Sequence, residues 1–166
     1  MKSAQEWFDA YGSSHQHPIN ERIHWICVPL ILVSTVALLA SLPHAFLREA
    51  VPSWAAGYAH FGTVVVIVSL VFYFRMAWAI GMGMLVVSVL TLWGVAALVQ
   101  WEENGGTAVW LVSSPVFAIA WLLQAVGHKI EGQRPCFLED LQFLLVGPAW
   151  LLQLLYCRFG VSVSRS

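Results

Sequence analysis

Histidines cluster in the amino-terminal stretch YGSSHQHPINERIHWICVPL, residues 11–30. His15, His17 and His24 occur within ten residues, and His128 lies far downstream, three residues before Glu131. Imidazole and carboxylate groups in this combination are ligands that non-haem Fe(II) accepts while leaving coordination positions open. The first question is therefore whether these side chains can meet at one ion.

The spacing within the stretch requires a break in the helix. On one unbroken helix, His15 and His24 would point about 180° apart, since each residue turns the helix by about 100°. Pro18 favours an extended conformation at His17, and Asn20 is predicted to be the N-cap of the helix that follows. A break at HQHPIN would let the loop fold His15 over the helix start, toward His24.

The downstream segment GHKIEGQRP, residues 127–135, offers the complementary groups. His128 and Glu131 are three residues apart, so they share one face of a helical turn. Gly132 and Pro135 are predicted to end that turn. Two segments at span ends could together supply imidazoles and a carboxylate.

The elements that would position these residues are apolar helices. Hydrophobic residues make up 59% of the chain, charged residues only 10%, and the mean hydropathy is +0.73. A bilayer core of about 30 Å needs roughly 20 apolar residues per helix. Runs of this kind cover residues 23–42, 54–74, 76–101 and 107–126, with a shorter fifth run at 141–156.

These runs predict an all-α integral membrane bundle of four to five transmembrane helices, in a single domain over residues 1–166. A short amphipathic helix is expected before the first span, opened by a capping box of Ser3 and Glu6. The net charge of −1 argues against a nucleic-acid partner, and the lipid bilayer is the expected environment. No oligomeric state is predicted.

Alternation of five spans would place the chemistry on one side of the membrane. The amino-terminal segment, the turn at Arg75 and the loop at residues 127–139 would share a face that carries five of the eight Lys and Arg residues. The positive-inside tendency then predicts a cytoplasmic amino terminus and a cytoplasmic metal site. His44 and His60 would lie on the opposite face.

Two other functions fit the same residues. Interfacial histidines also serve as hydrogen-bonding anchors in non-catalytic membrane proteins. A zinc-dependent membrane hydrolase would use Glu131 as a base rather than as a ligand, although HExxH, GxSxG and Walker A motifs are absent from the sequence.

The motif SHxxPxNxxIHxxCxP, followed downstream by GHxxE, RP and a Gly-Pro pair, resembles a family of small multi-pass membrane proteins. Its characterised fungal member is an iron-dependent 2-hydroxy fatty acid dioxygenase of phytosphingosine breakdown, located in the endoplasmic reticulum. The resemblance implies Fe(II) as cofactor, and a long-chain 2-hydroxy fatty acid and O2 as substrates. The implied products are CO2, water and the acid one carbon shorter.

Carried onto this sequence, the family pattern implies particular site residues. The implied metal ligands are His15, His24, His128 and Glu131. Asn20 and Glu131 are the implied catalytic residues. His17 stands where relatives are expected to have asparagine.

Overall fold

A computed structural model describes residues 3–132 and 143–161, and within these ranges the chain forms helices and no strand. The helices are α1 (Ala4–Gly12), α2 (Pro18–Ala40), α3 (Ala45–Glu49), a 3-10 helix (Ser53–Tyr58), α4 (Phe61–Met76), α5 (Trp78–Glu103), α6 (Val109–Glu131) and α7 (Phe143–Arg158). The all-α prediction is confirmed.

Three of the described helices are long and apolar enough to cross a membrane: α2, α5 and α6. Large apolar side chains on their outward faces, such as Trp78, Trp93 and Leu122, are mostly exposed. This exposure fits a lipid-facing surface, since a soluble protein would bury most such groups.

The predicted number of spans is not confirmed. The run at residues 54–74 is not one helix, because the 3-10 helix Ser53–Tyr58 precedes an α4 of only 16 residues that begins at Phe61. The fifth run begins at residues 141–142, which lie outside the described residues, and α7 is also 16 residues long. Both helices are apolar but shorter than a typical span.

Helix α1 has the predicted capping box. The Ser3 hydroxyl accepts from Glu6 N–H, and the Glu6 carboxylate accepts from Ser3 N–H. The apolar stripe of α1 is buried and packs against α7, where Tyr11 contacts Trp150 with ring centroids 5.3 Å apart. Helix α1 is thereby fixed to the bundle, next to the loop that carries His15.

Among the described helices, α2 and α6 make the most extensive contact. The beginning of α2 lies beside the end of α6, so His24 and His128 share one end of the bundle. Helix α7 is tied to the neighbouring α4–α5 hairpin by Tyr73, whose hydroxyl donates to the Leu145 carbonyl, and by Tyr156, whose hydroxyl donates to the Ala79 carbonyl.

The start of α2 differs from the prediction. His17 has the extended backbone expected before proline, but it is also the N-cap: its imidazole Nδ1 accepts from Ile19 N–H at 3.2 Å. The assignment of Asn20 as N-cap is wrong, because Pro18 already occupies the first helical position and Asn20 lies inside the helix. At the end of α6, Gly132 adopts the left-handed conformation at φ +75° and ends the helix as predicted. Pro135 lies outside the described residues.

Candidate metal centre

Three histidines from three segments meet at one end of the bundle. His15 lies on the loop between α1 and α2, His24 in the second turn of α2, and His128 in the last turn of α6. One ligand nitrogen from each lies within 4.8 Å of those of the other two, and all three side chains are buried. The group contains no fourth His, Cys, Asp or Glu from the residues that the structure describes.

The hydrogen bonds of two rings fix their tautomers. His15 Nδ1 lies 2.6 Å from the Tyr11 carbonyl oxygen, and His24 Nδ1 lies 2.9 Å from the Asn20 carbonyl oxygen. A carbonyl can only accept, so Nδ1 carries the proton in each ring and Nε2 presents a lone pair. Histidines that bind metal commonly donate the other ring N–H to a backbone carbonyl in this way.

The two Nε2 atoms face each other at 3.0 Å. In these tautomers neither nitrogen can donate, so two lone pairs are in contact unless a cation lies between the rings. Imidazole nitrogens bound to one ion at about 2.0–2.1 Å are roughly 3 Å apart when the angle at the metal is about 90°. The separation therefore fits a shared metal ion.

His128 adds an unsatisfied nitrogen to the group. Its ring centroid lies 4.8 Å from that of His15 and 5.1 Å from that of His24. His128 Nδ1 is buried and has no hydrogen-bond partner in the described part of the chain. An unpaired buried polar atom costs about 1–3 kcal/mol, so this nitrogen needs a partner that the described residues do not supply.

The environment of His15 keeps its ring neutral and oriented. Burial is the largest cause that lowers the pKa of His15 to about 4, and the nearby His128 lowers it further. The hydrogen bond to the Tyr11 carbonyl and the charge of Glu131 both act in the opposite direction. The Tyr11 ring stacks on the imidazole with centroids 4.2 Å apart and planes within 8°. At neutral pH the ring is in the form that binds metal.

Glu131 holds the loop that carries His15. One carboxylate oxygen accepts from Gln16 N–H at 2.5 Å and from His17 N–H at 3.3 Å, and the other accepts from Asn20 Nδ2 at 2.5 Å. The family resemblance implies Glu131 as a metal ligand, but its carboxylate lies outside the three-histidine group, with one oxygen bound to this loop and the other to Asn20 of α2. The geometry favours a positioning role instead.

Asn20 lies inside α2 and its side chain contacts both the loop between α1 and α2 and the end of α6. It is fully buried, and its Nδ2 also donates to the Ser14 carbonyl at 3.3 Å. Its Oδ1 lies against Gly127, where any Cβ would overlap it, so only glycine fits immediately before His128. Sequence reasoning missed this contact, although a glycine inside a helix next to a candidate ligand is a sign of close approach.

The remaining histidines lie apart from the metal-binding group. His17 is half-buried and caps α2. His44 and His60 lie together at the other end of the fold, with ring centroids 6.2 Å apart, and His60 caps α4 by accepting from Thr63 N–H.

A largely apolar cavity of about 330 Å³ begins at the three histidines. It extends between α2, α4, α5, α6 and α7. Its lining includes Val28, Ile31, Leu32, Thr35, Val36, Val65, Val66, Ser69, Tyr73, Met84, Ser88, Phe117, Trp121, Gln124, Leu144, Leu145, Gly147 and Pro148. The volume is in the range of small-molecule sites, which are typically mostly apolar with a few polar groups.

Fold and site together define a class: an all-helical protein with membrane-length helices and a buried three-histidine cluster that could hold a metal ion. The sequence model of the family described as "2-hydroxy-palmitic acid dioxygenase Mpo1-like" matches residues 1–159, and the chain belongs to this family. Searches of curated proteins and of solved structures each gave no match.

Proposed function

We propose that the protein is an Fe(II)-dependent dioxygenase that converts a long-chain 2-hydroxy fatty acid and O2 to the acid one carbon shorter. The observation that carries the proposal is that the three-histidine cluster lies at one end of a largely apolar cavity. The family name supports the reaction class. We also expect the site to face the cytoplasm, from the distribution of basic residues in the sequence.

The histidine cluster suits an ion that must bind further ligands. His15, His24 and His128 would hold the metal, and Fe(II) bound there would bind and activate O2. Three protein ligands leave coordination positions for the substrate. The Tyr11 and Asn20 carbonyls fix the rings that would face the ion, so the site is organised before substrate enters.

The proposed reaction balances without a reductant. R–CH(OH)–COOH and O2 give R–COOH, CO2 and H2O: the bond between C1 and C2 breaks, C1 leaves as CO2, and C2 becomes the new carboxyl carbon. The substrate itself supplies all the electrons that reduce O2. No nicotinamide or flavin is required.

The cavity would receive the acyl chain. Along α2 it runs from His24 to Val36, which is about 18 Å of helix at 1.5 Å per residue. Each methylene removed from water is worth about 0.8 kcal/mol. A long alkyl chain would therefore contribute most of the binding energy, while the carboxyl end lies beside the histidines.

Turnover should consume one O2 and release one CO2 for each shortened acid, without NADPH. We suggest testing this with detergent-purified, Fe(II)-loaded protein and carboxyl-labelled 2-hydroxypalmitate, with an oxygen electrode and product analysis. Oxidation of NADPH in step with product would contradict the proposal. Metal-dependent hydrolysis of a lipid ester without O2 uptake would instead favour the zinc hydrolase.

Substitutions at Val36 should change the chain-length preference in opposite directions. Val36 is buried at the far end of the cavity. Val36→Phe should shift the preference to shorter substrates by filling that end, and Val36→Ala should shift it to longer ones. The measurement is relative turnover over a series of 2-hydroxy acids.

Val86→Phe is the matched control for the Val36 series, because Val86 is exposed on α5 and does not line the cavity. Its chain-length profile should equal that of the wild type. Profiles that are also unchanged in both Val36 variants, with iron content retained, would show that the acyl chain lies elsewhere.

A further inference from the structure

Gln124 is a polar side chain of the cavity that the metal centre does not use. Gln124 lies on α6 one turn before His128, so the two side chains project from the same face of the helix. It lines the cavity and is only 6% exposed. Its side-chain amide makes no hydrogen bond to any residue in the ranges that the structure describes.

A buried amide without partners needs an explanation. A primary amide has two donor hydrogens and a carbonyl that accepts, and buried groups of this kind are nearly always hydrogen-bonded. Gln124 faces a cavity lined mainly by aliphatic and aromatic residues. Its partners must therefore come from what the cavity contains, which is either water or a ligand.

We propose that Gln124 recognises the head group of a 2-hydroxy acid, an inference that rests on the proposed function. Its amide N–H would donate to the substrate carboxylate, and its amide carbonyl would accept from the 2-hydroxyl. The two substrate groups are on adjacent carbons, and the two amide groups share one carbon, so one side chain can meet both. A fatty acid without the hydroxyl leaves the amide carbonyl unpaired.

The neutrality of Gln124 also fits this role. A Lys or Arg would pair strongly with any carboxylate and would not separate a hydroxylated acid from a plain one. An acidic residue would repel the substrate carboxylate. An amide binds the carboxylate moderately and uses its carbonyl to select the hydroxyl, because a site built to bond a hydroxyl disfavours the analogue that lacks it.

The test is ligand binding to the Fe(II)-loaded protein without O2, so that substrate is not consumed. Dissociation constants for 2-hydroxypalmitate and palmitate are measured for the wild type, Gln124→Met and Gln100→Met. Methionine keeps the length of the glutamine side chain and removes its amide. Gln100 is exposed on α5 and serves as the matched control.

The wild type should prefer 2-hydroxypalmitate over palmitate. Gln124→Met should raise the dissociation constant for 2-hydroxypalmitate about tenfold, as expected for loss of a hydrogen bond to a charged group together with a second hydrogen bond. Palmitate should lose less affinity, so the preference should shrink several-fold. Gln100→Met should behave like the wild type, and both variants should keep the wild-type iron content.

Two results would overturn the inference. An unchanged preference in Gln124→Met would mean that the amide binds only water. Loss of iron in that variant would mean that Gln124 supports His128 instead of the substrate. Turnover of 2-hydroxypalmitate by the wild-type preparation separates these outcomes from failure of the proposed function, since the reaction can occur whether or not Gln124 selects the hydroxyl.

Discussion

Replacing His24 by alanine should remove bound iron and turnover together. Among the described residues the cluster consists of three histidines, and His24 Nε2 lies 3.0 Å from His15 Nε2. A site with three protein ligands and open positions has no ligand to spare. His15→Ala and His128→Ala should give the same result. The measurement is iron per protein chain, alongside turnover of 2-hydroxypalmitate.

Two histidines outside the cluster provide matched controls. His60→Ala removes an equally buried imidazole from the other end of the fold and should keep iron, although loss of its cap on α4 should cost about 1 kcal/mol of stability. His17→Asn should keep both iron and activity, because asparagine is a strong N-cap and can replace His17 at the start of α2. Loss of iron in His17→Asn with retention in His24→Ala would place the metal at the HQH loop instead.

Asn20→Asp should disrupt the centre without touching a proposed ligand. The Asn20 amide donates to the Glu131 carboxylate at 2.5 Å, so aspartate would place two carboxylates in contact. Mutations in groups that orient metal ligands typically cost about 10–100-fold in metal affinity or activity. We expect a loss of that size here, measured as the dissociation constant for Fe(II).

A second substitution should partly reverse this loss. The three groups bonded to Glu131 are all donors, so Glu131→Gln alone leaves one donor facing the new amide NH2. In the double variant N20D/E131Q, the glutamine NH2 can donate to the aspartate while its oxygen still accepts from the loop N–H groups. The double variant should bind Fe(II) more tightly than Asn20→Asp does.

Asn104→Asp is the matched control for this pair. Asn104 ends α5, is exposed, and its amide donates to the Gln100 carbonyl far from the centre. It should bind iron like the wild type. If N20D/E131Q binds iron no better than Asn20→Asp, the contact between these two side chains does not position the site.

The sequence predicts the helical character and the capping box because these depend on local patterns. The uncharged runs identify α2, α5 and α6, since hydropathy measures whether a helix suits lipid. Hydropathy does not measure where a helix begins. The run at residues 54–74 therefore gives no sign that its first part is a 3-10 helix and that α4 begins only at Phe61.

The candidate site is predictable only in part. His15 and His24 could face one ion only if the helix were interrupted between them, and the structure has such a break at residues 13–17. The bonding of Glu131 to the loop depends on long-range packing of α2 against α6. The close contact of Gly127 with Asn20 and the burial of the Gln124 amide also depend on how the helices pack. A single sequence does not show directly which residues of different helices meet.

The central claim is that the three buried histidines hold an Fe(II) ion that the reaction requires. Its most direct test is to strip the purified protein of metal with a chelator. One equivalent of Fe(II), Zn(II) or Mn(II) per chain is then added, and CO2 release from carboxyl-labelled 2-hydroxypalmitate is measured in air. We expect activity to disappear with the metal and to return fully only with Fe(II). Undiminished CO2 release from metal-free protein, or restoration by Zn(II) but not by Fe(II), would contradict it.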